Sequence, residues 1–135
     1  MIDPPSGDEI LDAVARLLRD TLMPALPPDL VFQARVAANA VDLVAREMRQ
    51  GPQARLQSQQ RLASLLGREG ELADLETELA ARIREGAIAP DHAQLFEHLM
   101  ADAMARMAIE QPGYAAYRDE LARQAGTADA REPER

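Results

Sequence analysis

Residues Phe32–Met48 read FQARVAANAVDLVAREM, an apolar, alanine-rich run interrupted by charge at regular intervals. Successive residues of an α-helix lie about 100° apart, so a helical wheel tests whether those charges are scattered. They are not. Arg35, Asn39, Asp42, Arg46 and Arg49 follow one another at spacings of four, three, four and three, which places them on one stripe. Leu30, Ala34, Ala37, Val41, Val44 and Met48 form an apolar seam, with Phe32, Val36, Ala40 and Leu43 beside it. A helix apolar over more than half its circumference is expected to be surrounded by neighbours, as the central helix of a bundle. Two readings fit the polar stripe. It is a solvated edge or internal salt-bridge network, with Asp42 and Arg46 paired four apart. Or it lines a cleft where guanidinium forks meet an anionic ligand. Asn39 leans toward the second, because Asn inside a helix costs roughly half a kcal/mol relative to Ala.

Outward from this stretch, helical periodicity recurs between Gly and Pro punctuation. Ser6 with Glu9 makes a capping box for a first helix, whose apolar face is Ile10, Leu11, Val14, Leu17, Leu18, Thr21 and Leu22 and which should end before Pro24. The second helix is expected from Asp29 to Gln50, with Gly51 as its C-terminal stop and Pro52 opening a third that ends at Gly67. Glu71–Glu85 carries the stripe Leu72, Leu75, Leu79 and Ile83, with Glu78 and Arg82 paired and Gly86 closing it. Asp91 with Gln94 suggests another capping box, followed by an apolar face of Leu95, Phe96, Leu99, Met100, Ala103, Met104 and Met107 up to Pro112. Tyr114–Gln124 adds a short last helix. No stretch alternates as a strand would. The expectation is an all-α fold: a single compact bundle of about five helices with a short sixth at the C-terminus, over residues 1–126, followed by a disordered tail at 127–135.

Composition narrows the function classes. The 135 residues are 47% hydrophobic but only 3% aromatic, contain no cysteine, and carry a net charge of -8. Thiol chemistry and disulfides are excluded. The acidic balance argues against a phosphate-backbone ligand, so no nucleic acid is expected. No apolar run approaches the roughly 20 residues of a membrane span, and the start MIDPPSGDEI lacks a secretory pattern, so a cytoplasmic location is expected. All 15 basic residues are Arg, which removes any Schiff-base or P-loop lysine.

Catalytic groups are sparse. His98 and Asp102 stand four apart on one helix face near Asp91, His92 and Glu97, but no second ligand-bearing motif completes a metal shell, and no metal or other cofactor is expected. Met100, Met104 and Met107 read as adaptable core. Glu69, Glu71, Asp74, Glu76 and Glu78 read as a solvated acidic face. Ser6, Ser58 and Ser64 have no nucleophile-elbow context.

Four segments, EILDAVARLLRDTLMPALP (Glu9–Pro27), FQARVAANAVDLVARE (Phe32–Glu47), LAARIREG (Leu79–Gly86) and MAIEQPGY (Met107–Tyr114), together resemble a small bacterial domain family of unknown function, the DUF6285-like family. Its members accompany aminoglycoside-phosphotransferase-like kinases as neighbouring genes or fused segments. The resemblance reaches to about Tyr117. Where that family shows His before the ARVAAN run and Asn before the late proline, this chain has Gln33 and Gln111, which weakens any role needing an imidazole there. The resemblance implies a kinase partner and no particular reaction. The expectation is therefore a non-catalytic accessory or regulatory module of such a kinase. The alternative is an anion- or acyl-ligand-binding protein contacting its ligand through Arg35, Asn39, Asp42 and Arg46. A homo-oligomer is also expected as an option, because the narrow apolar stripe of Glu71–Glu85 could pack on a second copy.

Overall fold

Capping and punctuation locate most of the helices in the computed structural model, which describes residues 2–129. The Ser6–Glu9 capping box forms, with the Ser6 N–H donating to Glu9 Oε2 at 2.7 Å, and opens α1 (Gly7–Arg16). The chain then widens into a π-helical segment, Leu17–Leu22, and tightens into a 3-10 turn, Met23–Ala25. Pro24 brings no N–H to continue the ladder, so the helix ends where expected. α2 (Pro28–Leu66) places Pro28 at its first position and Asp29 in its first turn, where a fixed φ and a negative charge both suit a helix start. α3 (Leu72–Arg84), α4 (Ala93–Glu110) and α5 (Ala115–Asp129) follow. No strand occurs among the described residues. The all-α class stands.

Three boundaries differ from expectation. The expected stop at Gly51 does not occur: α2 runs unbroken for 39 residues through Gly51 and Pro52, so two expected helices are one. Among the described residues only Gly67 (φ 72°) and Gly86 (φ 74°) adopt positive φ, and these two end α2 and α3 as anticipated. Gly51 keeps helical backbone because the segments on either side are anchored independently, by ion pairs at Arg49 and by buried Leu62 and Leu66. Pro52 still removes one backbone hydrogen bond and crowds the carbonyl four residues earlier, at a cost of about 3 kcal/mol. Pro52→Ala should therefore raise the midpoint of chemical denaturation, by about 1–3 kcal/mol of stability; a loss instead would mean that the proline's geometry is needed. The second difference is the cap of α4, which is His92 rather than Asp91. A turn closed by the His92 N–H donating to the Ala89 carbonyl at 3.0 Å carries the chain one residue further, and the Leu95 N–H then donates to His92 Nδ1. Third, α5 continues through Gly126 to Asp129. Of the expected tail, Thr127–Asp129 are helical and residues 130–135 lie outside the described residues.

The chain divides into two compact units, Met1–Ala54 and Arg55–Arg135. In the second, Leu62 and Leu66 of α2, Leu75 and Leu79 of α3, Ile88 of the linker and Leu95 of α4 form a buried aliphatic cluster. Gln59 Nε2 donates to the Gly70 carbonyl at 2.6 Å and ties down the α2–α3 turn. In the first unit only small side chains are buried among the hydrophobics: Ala15, Ala38 and Ala45. The N-terminal half of α2 is thus not the surrounded central helix that its wheel suggested. Phe32 is 68% exposed and Val36, Val44 and Met48 about half exposed, because alanines line the sector that is covered and the larger side chains point elsewhere.

Candidate functional site

The polar stripe of α2 is built against α1 and the π segment. Arg19, on that segment, donates from Nη2 to Asn39 Oδ1 at 2.8 Å and pairs with Asp42 Oδ2 at 2.7 Å. Two turns beyond Asp42, Arg49 bonds Asp8 through Nε at 2.6 Å and Asp12 through Nη2. Two guanidinium groups thus join the first helical segment to α2, one donated in each direction. The hydrogen bond from Ser6 and the guanidinium of Arg49 hold the Asp8 carboxyl below its ordinary range, and the two aspartates raise Arg49. Of the four residues singled out in the sequence, Asn39 and Asp42 share Arg19, Arg46 is half-buried, and Arg35 is exposed. Asn39 and Asp42 thus have a partner on the preceding segment of the same unit. Arg19 was not anticipated; its signal is the series Asp8, Asp12, Ala15, Arg19 on the face of the first segment opposite Ile10, Val14 and Leu17.

The second cluster centres on Asp102 of α4. Its Oδ1 accepts from Arg61 Nη2 at 2.6 Å, its Oδ2 accepts from Ser58 Oγ at 3.1 Å, and the same oxygen lies 3.5 Å from His98 Nε2. His98 is buried, and its Nδ1 has no hydrogen-bond partner, as is true of Arg61 Nε. Burial pushes the imidazole below its ordinary 6.5; the Asp102 carboxylate acts against this, Arg61 adds to it, and Glu76 opposes it. A neutral ring with the proton on Nε2 fits this surrounding best, since protonation would add a charge and an unsatisfied N–H in the interior. The hydroxyl of Ser58 donates to the carboxylate rather than to the imidazole. The arrangement therefore orients a half-buried carboxylate and does not activate a serine nucleophile. Sequence spacing puts His98 and Asp102 on one face of a helix, whereas Ser58 and Arg61 come to them from α2. Their signal is a spacing of three beside Leu62 on a helix whose polar run QSQQR otherwise looks solvated.

Elsewhere, Glu78 accepts from both Arg68 and Arg82, so the expected pair gains a third member from the α2–α3 turn. The hydrogen bond from Arg68, with help from Arg82, holds the Glu78 carboxyl low. An open groove bounded by Gln60, Ser64 and Arg68 lies alongside. No three His, Asp or Glu side chains among the described residues stand together as a metal-holding group, and no helix of the described residues is long and apolar enough to cross a membrane.

Fold and clusters define an acidic, all-helical protein whose buried and half-buried polar side chains join helix to helix. The chain belongs to the family described as a domain of unknown function (DUF6285), which matches residues 24–114, from the end of the 3-10 turn to the start of α5. No curated protein and no solved structure matches it.

Proposed function

We propose that this protein is an accessory module that works by docking on another protein, and that its partner is a phosphotransferase-like kinase of the kind its relatives accompany. The observation that carries the docking role is the outer side of α4. Leu95, His98 and Ile109 face inward and are buried, while Phe96 is 63% and Leu99 49% exposed. Both had been expected in the core. An exposed aromatic and leucine three apart, with Ala103 on the same side, is the pattern of a helix that lays an apolar ridge into a partner's groove. Glu97 and Asp91 border this ridge, and with a net charge of -8 the module suits a groove rimmed by basic residues, with association that weakens as salt rises.

The test is co-purification of the full chain with a phosphotransferase-like kinase, at low and at high salt. Wild type should be retained at low salt, and Phe96→Asp with Leu99→Asp should weaken retention by about tenfold or more without changing helicity, because both positions are solvent-facing. Absence of association at low salt, together with an unchanged kinase rate, would overturn the proposal.

A further inference from the structure

Burial in the first unit runs opposite to that of an ordinary helical domain. Among residues 2–54, no large hydrophobic side chain is buried. Ile10, Val14, Leu17 and Leu22 are exposed on the first helical segment, and Leu30, Phe32, Val36, Leu43, Val44 and Met48 on α2. The six α2 side chains present on the order of 550 Å² and all ten about 900 Å², against roughly 800 Å² per partner in a stable interface. A unit whose fully buried hydrophobic side chains are alanines, with Leu11, Leu18, Leu26, Val31 and Val41 only half-buried, supplies little of the hydrophobic burial that offsets chain entropy. Such a unit gains stability from an outside cover, and a second copy is supplied wherever the chain itself is made.

The residue order of α2 points to the same occupant. Phe32, Val36, Ala40, Val44 and Met48 stand at four-residue intervals, so they form one continuous ridge of the helix surface. That ridge is symmetrical about Ala40. Positions 36 and 44 are both Val, positions 32 and 48 are both large and apolar, positions 37 and 43 are Ala and Leu, and positions 33 and 47 are both polar. A two-fold axis through Ala40 sets residue 40 + n of one copy opposite residue 40 − n of the other. Val36 of each copy then meets Val44 of the other, with Phe32 and Met48 flanking them, and the small side chain at the centre lets the backbones approach. This is the self-complementarity that an isologous interface demands. Two ridges of this spacing interdigitate at a crossing of about 50°.

We infer that the chain is a homodimer in which the Phe32–Met48 ridge of α2 packs antiparallel on the same ridge of a second copy about an axis at Ala40, with the exposed apolar stripe of α1 adding further cover. The N-terminal unit is thereby a dimerisation element, distinct from the α4 ridge assigned to the kinase.

Light scattering on the full chain at tens of micromolar should give twice the 14.8 kDa chain mass. Val36→Glu and Val44→Arg should each reduce that mass to the monomer's. The double variant should restore the dimer, because each introduced carboxylate meets the introduced guanidinium of the other copy. Since the chain has no cysteine, Ala40→Cys gives a single thiol, which a short bismaleimide should link into a covalent dimer, while Arg118→Cys on exposed α5 should stay unlinked. This arm needs no disruptive substitution and so holds even if a charged variant fails to fold. A monodisperse monomer, or a dimer indifferent to both single variants and uncrosslinked at position 40, would overturn the inference. So would a monomer whose ridge becomes protected only when the kinase is added, which would make the kinase the occupant instead.

Discussion

Leu75→Ala should lose about 2–5 kcal/mol of unfolding free energy, measured by urea titration with helicity as the signal. Leu75 and Leu62 are fully buried, and they are the centre of the buried aliphatic cluster of the second unit. Truncation removes the transfer free energy of three carbons and leaves a void that Leu66, Leu79, Ile88 and Leu95 cannot fill, since each is held by a different element. The linker residue Ile88 matters here, because its side chain closes the cluster between α3 and α4 without helical periodicity to announce it. Against a typical total of 5–15 kcal/mol, the loss is a large share of the stability of the fold. The control is Ile83→Ala on the same helix. Ile83 was expected on the core stripe but is exposed, so its truncation should fall within about 0.5 kcal/mol of wild type, as surface changes do. Equal effects at the two positions would mean that α3 packs in a different register.

The contrast between Leu75 and Ile83 shows what periodicity can and cannot deliver. A wheel finds which side of a helix is apolar, and on α3 that was enough to find the core to within one turn. It does not report how far away the neighbouring helix is. In Phe32–Met48 the apolar sector was so wide that it held two faces, one of alanines that is covered and one of large side chains that is not, and hydrophobicity alone ranks them in the wrong order. Punctuation has a similar limit. Gly67 and Gly86 stop helices because each adopts a positive φ followed by a turn, whereas Gly51 has the same residue identity and is read through, anchored on both sides. The candidate site was half legible for a related reason. Asn39, Asp42 and Arg49 were found because they share a helix, and spacing along one helix is visible in sequence. Arg19, Asp8, Asp12, Ser58 and Arg61 are partners supplied by other segments or turns, and their distances exist only after folding.

Asp102→Ala should be the most damaging polar substitution, at about 1–3 kcal/mol, and it should change the pH dependence of stability as well. The carboxylate is the common acceptor for Ser58 and Arg61 and lies beside His98 Nε2. Deleting it leaves a guanidinium whose Nε is already unpartnered and a buried hydroxyl without an acceptor. The ion pair itself is about one-third exposed on each side, so solvent screening keeps its own share small; most of the loss comes from stranded donors. The pH effect follows from His98. Burial lowers its folded pKa below the ordinary 6.5, so the unfolded chain binds the proton more readily, and stability falls as the pH drops below 6.5 toward the folded value. The carboxylates held low, including Glu120 at about 2 through Arg123 and Gln124, act in a separate window. They lose their contribution only as the pH falls below the ordinary 4.5 of a glutamate. Because Asp102 counters the burial effect on His98, its removal should steepen the decline in the interval just below pH 6.5, and His98→Leu should abolish the decline there. A wild-type stability that is flat across the interval would show that the imidazole reaches water, and with it that the Ser58–Arg61–Asp102 cluster does not close over His98.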